Sequence, residues 1–273
     1  MKRGIFALSF FVVFVAGALN PVREYSTTPA DYGLNYEEVT FKTSDNLQLY
    51  GWLFKPSQDN FKIIIMSHDG DGNMANFIEL ASYFVSLGYS VLTYDYRGYG
   101  KSQDFNINPD FYIYAQFEKD LNGAIDYIKK FHPRTRNIIL YGKGIGAALS
   151  VAVGATRCND VSRIIADSPY SSLEDVQKLL KEKKGKEVKM PLGYDKNMLE
   201  PVFALEAKGA SLAGVLIIYG NNDPIYNETM MKKIAKARSS VVQLEGIKNA
   251  TYETTFTISK EQYQSLLKKF LSK

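Results

Sequence analysis

The sequence predicts an α/β fold, a mostly parallel central sheet with helices on both faces. Three observations predict it. Short apolar runs alternate with stretches of helical periodicity from about residue 62 to the C-terminus, the pattern of successive right-handed crossovers. Lys62-Ile63-Ile64-Ile65-Met66-Ser67 is continuously apolar in its interior, as a parallel strand covered on both faces must be. The unusual residues His68-Asp69-Gly70, Asp95, Gly144, Asp167-Ser168, Asp223 and Asn249 fall at the ends of predicted strands. Ligands of such sheets sit beyond the carboxyl ends of the strands.

The elements follow in order. Residues 36–41 and 47–54 alternate apolar and polar side chains around Thr43-Ser44-Asp45-Asn46, predicting an N-terminal antiparallel hairpin of two half-buried strands. After the strand at 62–67, a helix is predicted around 77–86 and a strand at 90–94. A longer helix over roughly 112–131 leads to a strand at 137–141. Gly142-Lys143-Gly144-Ile145-Gly146 then separates that strand from the small-residue run 147–153. This reads as strand, tight turn and helix. A strand at 163–166 and a lysine-rich helix near 173–183 come next. The chain closes with a strand at 215–219, a helix over 227–237, a strand at 240–244 and a helix from about 259 to 271. The stretch 178–213 is long enough for a helix and an ordered loop, so no large cap domain is expected.

At 273 residues and 45% apolar content, the chain can bury one substantial core. Its organisation reads as residues 1–19, a signal peptide or membrane anchor; 20–35, a polar lead; and 36–273, one α/β domain. Lys2 and Arg3 precede the uncharged, Phe/Val-rich stretch from Ile5 to Ala18, and Ala16-Gly17-Ala18 offers a small-residue cleavage site. Gly4 to Val22 is also nineteen uncharged residues, near the lower limit for an uncleaved span. Either reading implies an exported protein, periplasmic, extracellular or attached to the cell envelope, and the uncleaved reading adds membrane contact through this segment. Cys158 is the only cysteine, so no intramolecular disulfide forms. A formal charge of +4 is too weak to point to nucleic acid. Residues 178–189 are a local exception, with six lysines against Glu182 and Glu187. Such a run is a solvated face or a contact with an anionic surface. No metal constellation is legible, and no cofactor is implied, with two histidines and one cysteine in the chain.

Five segments, each at a predicted strand end, carry a resemblance. They are His68-x-Gly70-x-Gly72-Asn73, Asp95-Tyr96-Arg97-Gly98-Tyr99-Gly100-Lys101-Ser102, Gly142-x-x-x-Gly146, Ser168-Pro169-Tyr170 and Gly220-Asn221-Asn222-Asp223. In this order they resemble the α/β-hydrolase superfamily, and most closely its compact serine aminopeptidase-like or monoacylglycerol-lipase-like branch. The resemblance runs from about residue 36 to the C-terminus. It implies a Ser, Asp, His triad in that order, an oxyanion loop at 68–73 and esterase or peptidase chemistry.

The implied triad reads Gly144, Asp223, Asn249. Gly144 stands at the nucleophile elbow and has no nucleophile, while Asp223 is of the expected type. Gly246-Ile247-Lys248-Asn249 parallels the segment ending in the base, and asparagine takes up no proton near neutral pH. Asp69 stands where the oxyanion loop ordinarily has its first glycine. Pointing inward it opposes developing negative charge; pointing outward it is a turn residue. Gly70, Ile145 and Lys143 complete the expected ligand-binding set, since backbone N–H groups at a helix start make an anion site. His68 resembles a structural residue of its loop, and His132 precedes the elbow strand at the far end of the sheet.

Three functions are compatible with this pattern. The first is a pseudoenzyme that binds an acyl group, a small acid or a partner without turnover. The second is a hydrolase using Ser67 or Ser168 with Asp167 or Asp223. The third is an interaction scaffold of the cell envelope.

Overall fold

A computed structural model of the protein describes residues 19–58 and 60–273. The predicted signal or anchor therefore lies outside the described residues, apart from Leu19. Eight strands form the central sheet: β2 (Tyr36–Lys42), β3 (Gln48–Phe54), β4 (Lys62–Ser67), β6 (Ser90–Tyr94), β7 (Asn137–Lys143), β8 (Val161–Asp167), β9 (Gly214–Gly220) and β10 (Val242–Ile247). Their spatial order is β10-β9-β8-β7-β4-β6-β3-β2. Only the β2–β3 and β3–β6 pairs are antiparallel. A separate two-stranded ribbon pairs β1 (Asn20–Pro21) with β5 (Asp71–Gly72).

Helices cover both faces. α1 (Ile78–Ser86) and α8 (Lys260–Leu271) pack on one, and α2 (Phe117–Phe131), α3 (Ile145–Thr156), α4 (Leu173–Lys184) and α7 (Glu228–Ala237) on the other. The pleat divides the core between them. Ile63 and Ile65 of β4 face the α2–α3 side, while Ile64 and Met66 face α1 and α8. β7 divides likewise, with Ile138 and Leu140 against Ile139 and Tyr141. This is the alternation of a strand buried on both sides. The chain leaves β4 for β6 on one side, then returns through α2 to β7 on the other. That reversal opens a crevice between the carboxyl ends of β4 and β7.

Several boundaries differ from the sequence expectation. α2 begins at Phe117 rather than near 112, because the Tyr112 amide is drawn away to the Lys189 carbonyl at 2.9 Å. Two short helices, α5 (Lys196–Leu199) and α6 (Pro201–Ala207), occupy part of the expected loop. Asp195 caps the first through the Asn197 amide, and Pro201 opens the second. β10 runs to Ile247 instead of ending at 244. The hairpin's second strand is buried throughout from Leu49, not half-buried. Tyr25 lies over Trp52 with ring centroids 4.7 Å apart, so the N-terminal segment covers the face that periodicity left to solvent.

That segment belongs to the fold rather than leading into it. The Asn20 amide donates to Gly70 O at 2.8 Å, and Asn73 Nδ2 donates to the Glu24 carbonyl at 2.8 Å. The Tyr25 hydroxyl donates to the buried carboxylate of Asp95. Burial pushes the Asp95 pKa up to about 6 against this hydroxyl and the Met74 amide, which also donates to it.

Arg97 joins the hairpin turn to α2. Its Nε and Nη2 donate to Asp120 Oδ1 at 2.8 and 2.6 Å, and its Nη1 to Asp45 Oδ2 at 2.9 Å. Arg97 and Asp120 are fully buried, whereas the Asp45 side chain is 31% exposed. Removing one partner of a buried pair strands the other charge. Asp120→Ala is therefore expected to cost about 3–5 kcal/mol in urea unfolding. Asp45→Ala, whose loss water can partly replace, costs less. Equal losses contradict this account.

Candidate functional site

The turn after β7 is the centre of the crevice. α3 and the end of β4 meet so closely that a Cβ on Gly146 would lie 2.2 Å from the Ser67 carbonyl oxygen. Only glycine fits there. Gly144 adopts φ 54 and ψ −118, a strained conformation that places the residue at the head of α3. Its amide donates to the Asp167 carbonyl at 2.9 Å. Ile145 is the first residue of α3, where a backbone N–H has no acceptor within the helix.

The space that a side chain at 144 would enter is already occupied. A Cβ there would lie 2.8 Å from Tyr252 Oη, 3.0 Å from its Cε2 and 3.2 Å from Asp69 Cβ. The Tyr252 hydroxyl donates to Asp69 Oδ2 at 2.6 Å, and the Tyr252 amide donates to Asp223 Oδ2 at 2.8 Å. One residue thus links the oxyanion loop to the triad-acid position. Behind it the Tyr226 ring lies 4.9 Å away, and the Tyr226 and Tyr112 hydroxyls are 3.1 Å apart. Lys143 Nζ sits 4.9 Å from the centre of the Tyr252 ring, a cation–π contact. The ring thus fills the space that a serine side chain at 144 would take.

Asp69 turns inward. Besides Tyr252, it accepts the Asp71 amide at 3.2 Å. Burial raises its pKa, and the Lys143 charge and the Tyr252 hydroxyl act in the opposite direction. Gly70, at φ 83, is closed in by Leu19 and Ile145 side chains, each 2.8 Å from where its Cβ would stand. Asp223 Oδ1 accepts the amides of Ile225 and Tyr226 at 2.8 and 2.7 Å. With Tyr252 on Oδ2, the carboxylate is spent on three backbone donors.

Asn249 does not pair with Asp223. It is exposed and has φ 60. The structure therefore brings together Asp69, Gly70, Lys143, Gly144, Ile145 and Asp223, but not Asn249. Tyr252, three residues further on, is the link that the sequence reading missed. Its only signal was an aromatic residue close to the altered base position in a chain whose elbow had lost its side chain.

The two histidines sit at opposite ends of the sheet. His68 is wedged between the Tyr96 and Tyr99 rings, at 4.4 and 5.0 Å. Its Nδ1 accepts the Gly70 amide at 3.2 Å. Burial pulls its pKa down to about 3, so it stays neutral. His132 lies with Lys62 and Ser90, which begin β4 and β6, at the opposite end of the sheet. Ser67 Oγ is 2.8 Å from the Tyr94 hydroxyl, with both groups fully buried. Ser168 Oγ donates to Asp167 Oδ1 at 2.9 Å. The other Asp167 oxygen accepts Thr255 and Tyr263 hydroxyls at 2.7 and 2.9 Å, and all four residues are fully buried. Among the described residues no group of three or more His, Cys, Asp or Glu could hold a metal.

Known proteins resemble the chain in both sequence and fold. Residues 58–191 match the family described as serine aminopeptidase, S33. The protein bem46 of Schizosaccharomyces pombe is 29% identical over 159 residues, covering 56% of this chain and 51% of that protein. The α/β hydrolase domain-containing protein WAV2 of Arabidopsis thaliana is 25% identical over 161 residues, covering 58% and 50%. The esterase Pf2001 of Pyrococcus furiosus superposes with a TM-score of 0.75 over 93% of this chain and 97% of that one. At 20% identity, that likeness speaks for the fold alone. This chain is a member of the α/β-hydrolase superfamily. It spans about half the length of the curated relatives it matches.

Within this α/β-hydrolase framework, Tyr252→Phe leaves the Asp69 carboxylate one donor short, which costs about 1–3 kcal/mol at neutral pH. The pH dependence has a definite sign. Because the folded pKa of Asp69 is raised, the stability it contributes is present below its unfolded value and lost as pH rises through the folded one. Losing the donor raises that pKa further. The stability gap between parent and variant in urea unfolding is expected to widen as pH rises above the unfolded value of about 4. A gap independent of pH contradicts the Tyr252–Asp69 bond.

Proposed function

We propose that the protein is a non-catalytic member of its superfamily that acts by contact rather than turnover. The observation that carries this reading is Tyr252. It lies within 2.8 Å of where a side chain at 144 would begin, and it ties up carboxylates on both sides of the crevice. The elbow offers no nucleophile, Asn249 is exposed, and His68 is neutral and already accepts a backbone amide. Triad members act as a unit, and losing the serine or the histidine alone costs on the order of 10⁶ in turnover. Any acyl or acidic ligand approaching Ile145 and Lys143 would first have to displace Tyr252 from Asp69. Filling of the crevice therefore favours a contact scaffold over capture of a small ligand.

The alternative of a non-standard nucleophile has little geometric support. Ser67 has a phenol as its neighbour instead of a base, and Ser168 meets Asp167 in a fully buried network. Export or attachment to the cell envelope rests on the uncharged stretch from Ile5 to Ala18.

Hydrolysis of p-nitrophenyl acetate and butyrate tests the reading. The parent is expected to be silent. Gly144→Ser/Asn249→His is expected to stay silent too, because Tyr252 occupies the serine's space and residue 249 is not bonded to Asp223. Parent turnover that Asp223→Asn abolishes would overturn the reading. So would a fluorophosphonate adduct on any serine of the parent.

A further inference from the structure

The segment returning from α4 carries charge and apolar surface that neither the sheet nor the crevice uses. Of its six lysines, Lys178, Lys181 and Lys189 pair with Glu182, Glu187 and Asp110 at 4.0, 2.7 and 2.8 Å. These pairs are exposed and weak. Lys183, Lys184 and Lys186 make no ion pair among the described residues. Partial burial of Lys186 lowers its pKa, so its ammonium has lost water without gaining a counter-charge.

Beyond these lysines, Leu192 is 94% exposed, against 59% for Phe131, the next most exposed large apolar residue among those described. It stands between buried Pro191 and left-handed Gly193. The segment is anchored between these lysines and Leu192. The Lys189 amide donates to the Asp110 carbonyl at 2.8 Å, and its own carbonyl accepts the Tyr112 amide.

Tyr112 belongs to the aromatic wall behind Tyr252, so this anchor lies at the carboxyl end of the sheet. The N-terminal segment arrives at that end as well, where Leu19 packs against Gly70. Leu19 is buried and directly follows the uncharged stretch from Ile5 to Ala18, with no spacer between them.

We propose that this end of the molecule docks on an anionic lipid bilayer, with Leu192 entering the headgroup boundary and Lys183, Lys184 and Lys186 facing the headgroups. Charge and hydrophobicity together select this occupant. Unpaired lysines meet the negative surface potential of such a membrane, and the exposed leucine that follows them in the same segment matches its apolar boundary. A nucleic acid would satisfy the lysines and leave Leu192 in water. The proposal gives the contact reading a partner, but its test measures lipid partition and is independent of any ester turnover.

The full-length chain is to be cosedimented with phosphatidylcholine vesicles and with vesicles containing phosphatidylglycerol, at low and high salt. Stronger, salt-sensitive partition onto the anionic vesicles is expected. Lys183→Gln/Lys184→Gln/Lys186→Gln should weaken that partition by roughly a hundredfold, at about a fivefold loss per lysine. Leu192→Asp should weaken partition onto both vesicle types. Lys183, Lys184 and Leu192 are exposed and Lys186 is half-buried, and unchanged thermal melts would exclude misfolding. Equal partition onto neutral and anionic vesicles would assign attachment to residues 5–18 alone and overturn the proposal. Anionic preference that survives the triple substitution, or parent-like partition of Leu192→Asp, would overturn it equally.

Discussion

The crevice of this protein is organised around one side chain, the Tyr252 ring lying over Gly144. The contact is possible only because residue 144 has no Cβ, since one would approach the hydroxyl to 2.8 Å. Tyrosine in turn supplies what the missing side chain leaves undone. Its bulk fills the space, its hydroxyl gives Asp69 a donor, and its amide completes the coordination of Asp223. A carboxylate withdrawn from water needs donors, and here two each receive one from the same residue. The altered positions read as one mutually adjusted packing unit.

This unit separates fold from chemistry. The frame that positions a nucleophile remains: a strand, a strained glycine turn and a helix packed closely enough to require Gly146. The reversal of strand order still opens the crevice between β4 and β7. The occupant has changed. Over the turn that would carry a nucleophile there now lie a phenol and a carboxylate, those of Tyr252 and Asp69. A superfold keeps its architecture across many functions, and this chain keeps it around a filled site.

Much of the architecture was legible in the sequence because it is set by local patterns. Ile63, Ile64 and Ile65 announce a strand buried on both faces, and the glycines at 142, 144 and 146 announce the turn. The altered residues at 69 and 144 were legible as residue types at motif positions. Their partner was not. Tyr252 reaches Asp69 across 183 residues of sequence, and no periodicity encodes such a meeting. Asn249 illustrates the same limit from the other side, since its place in the motif says nothing of the left-handed backbone that leaves it exposed. Tyr112 was assigned to a helix because local propensity cannot anticipate a carbonyl arriving from Lys189. The polar character of residues 20–35 likewise concealed Tyr25, whose ring covers Trp52.

The central claim is that Tyr252 occupies the space above Gly144, and a double-mutant cycle between them tests it most directly. Gly144→Ala, Tyr252→Ala and the pair are to be compared by urea unfolding. In the parent, Gly144→Ala should cost about 1–3 kcal/mol through overpacking, and clearly less once the ring is gone. A coupling of more than about 0.5 kcal/mol in that direction is the predicted result. Additive losses would mean that the two residues do not meet and that the crevice is open.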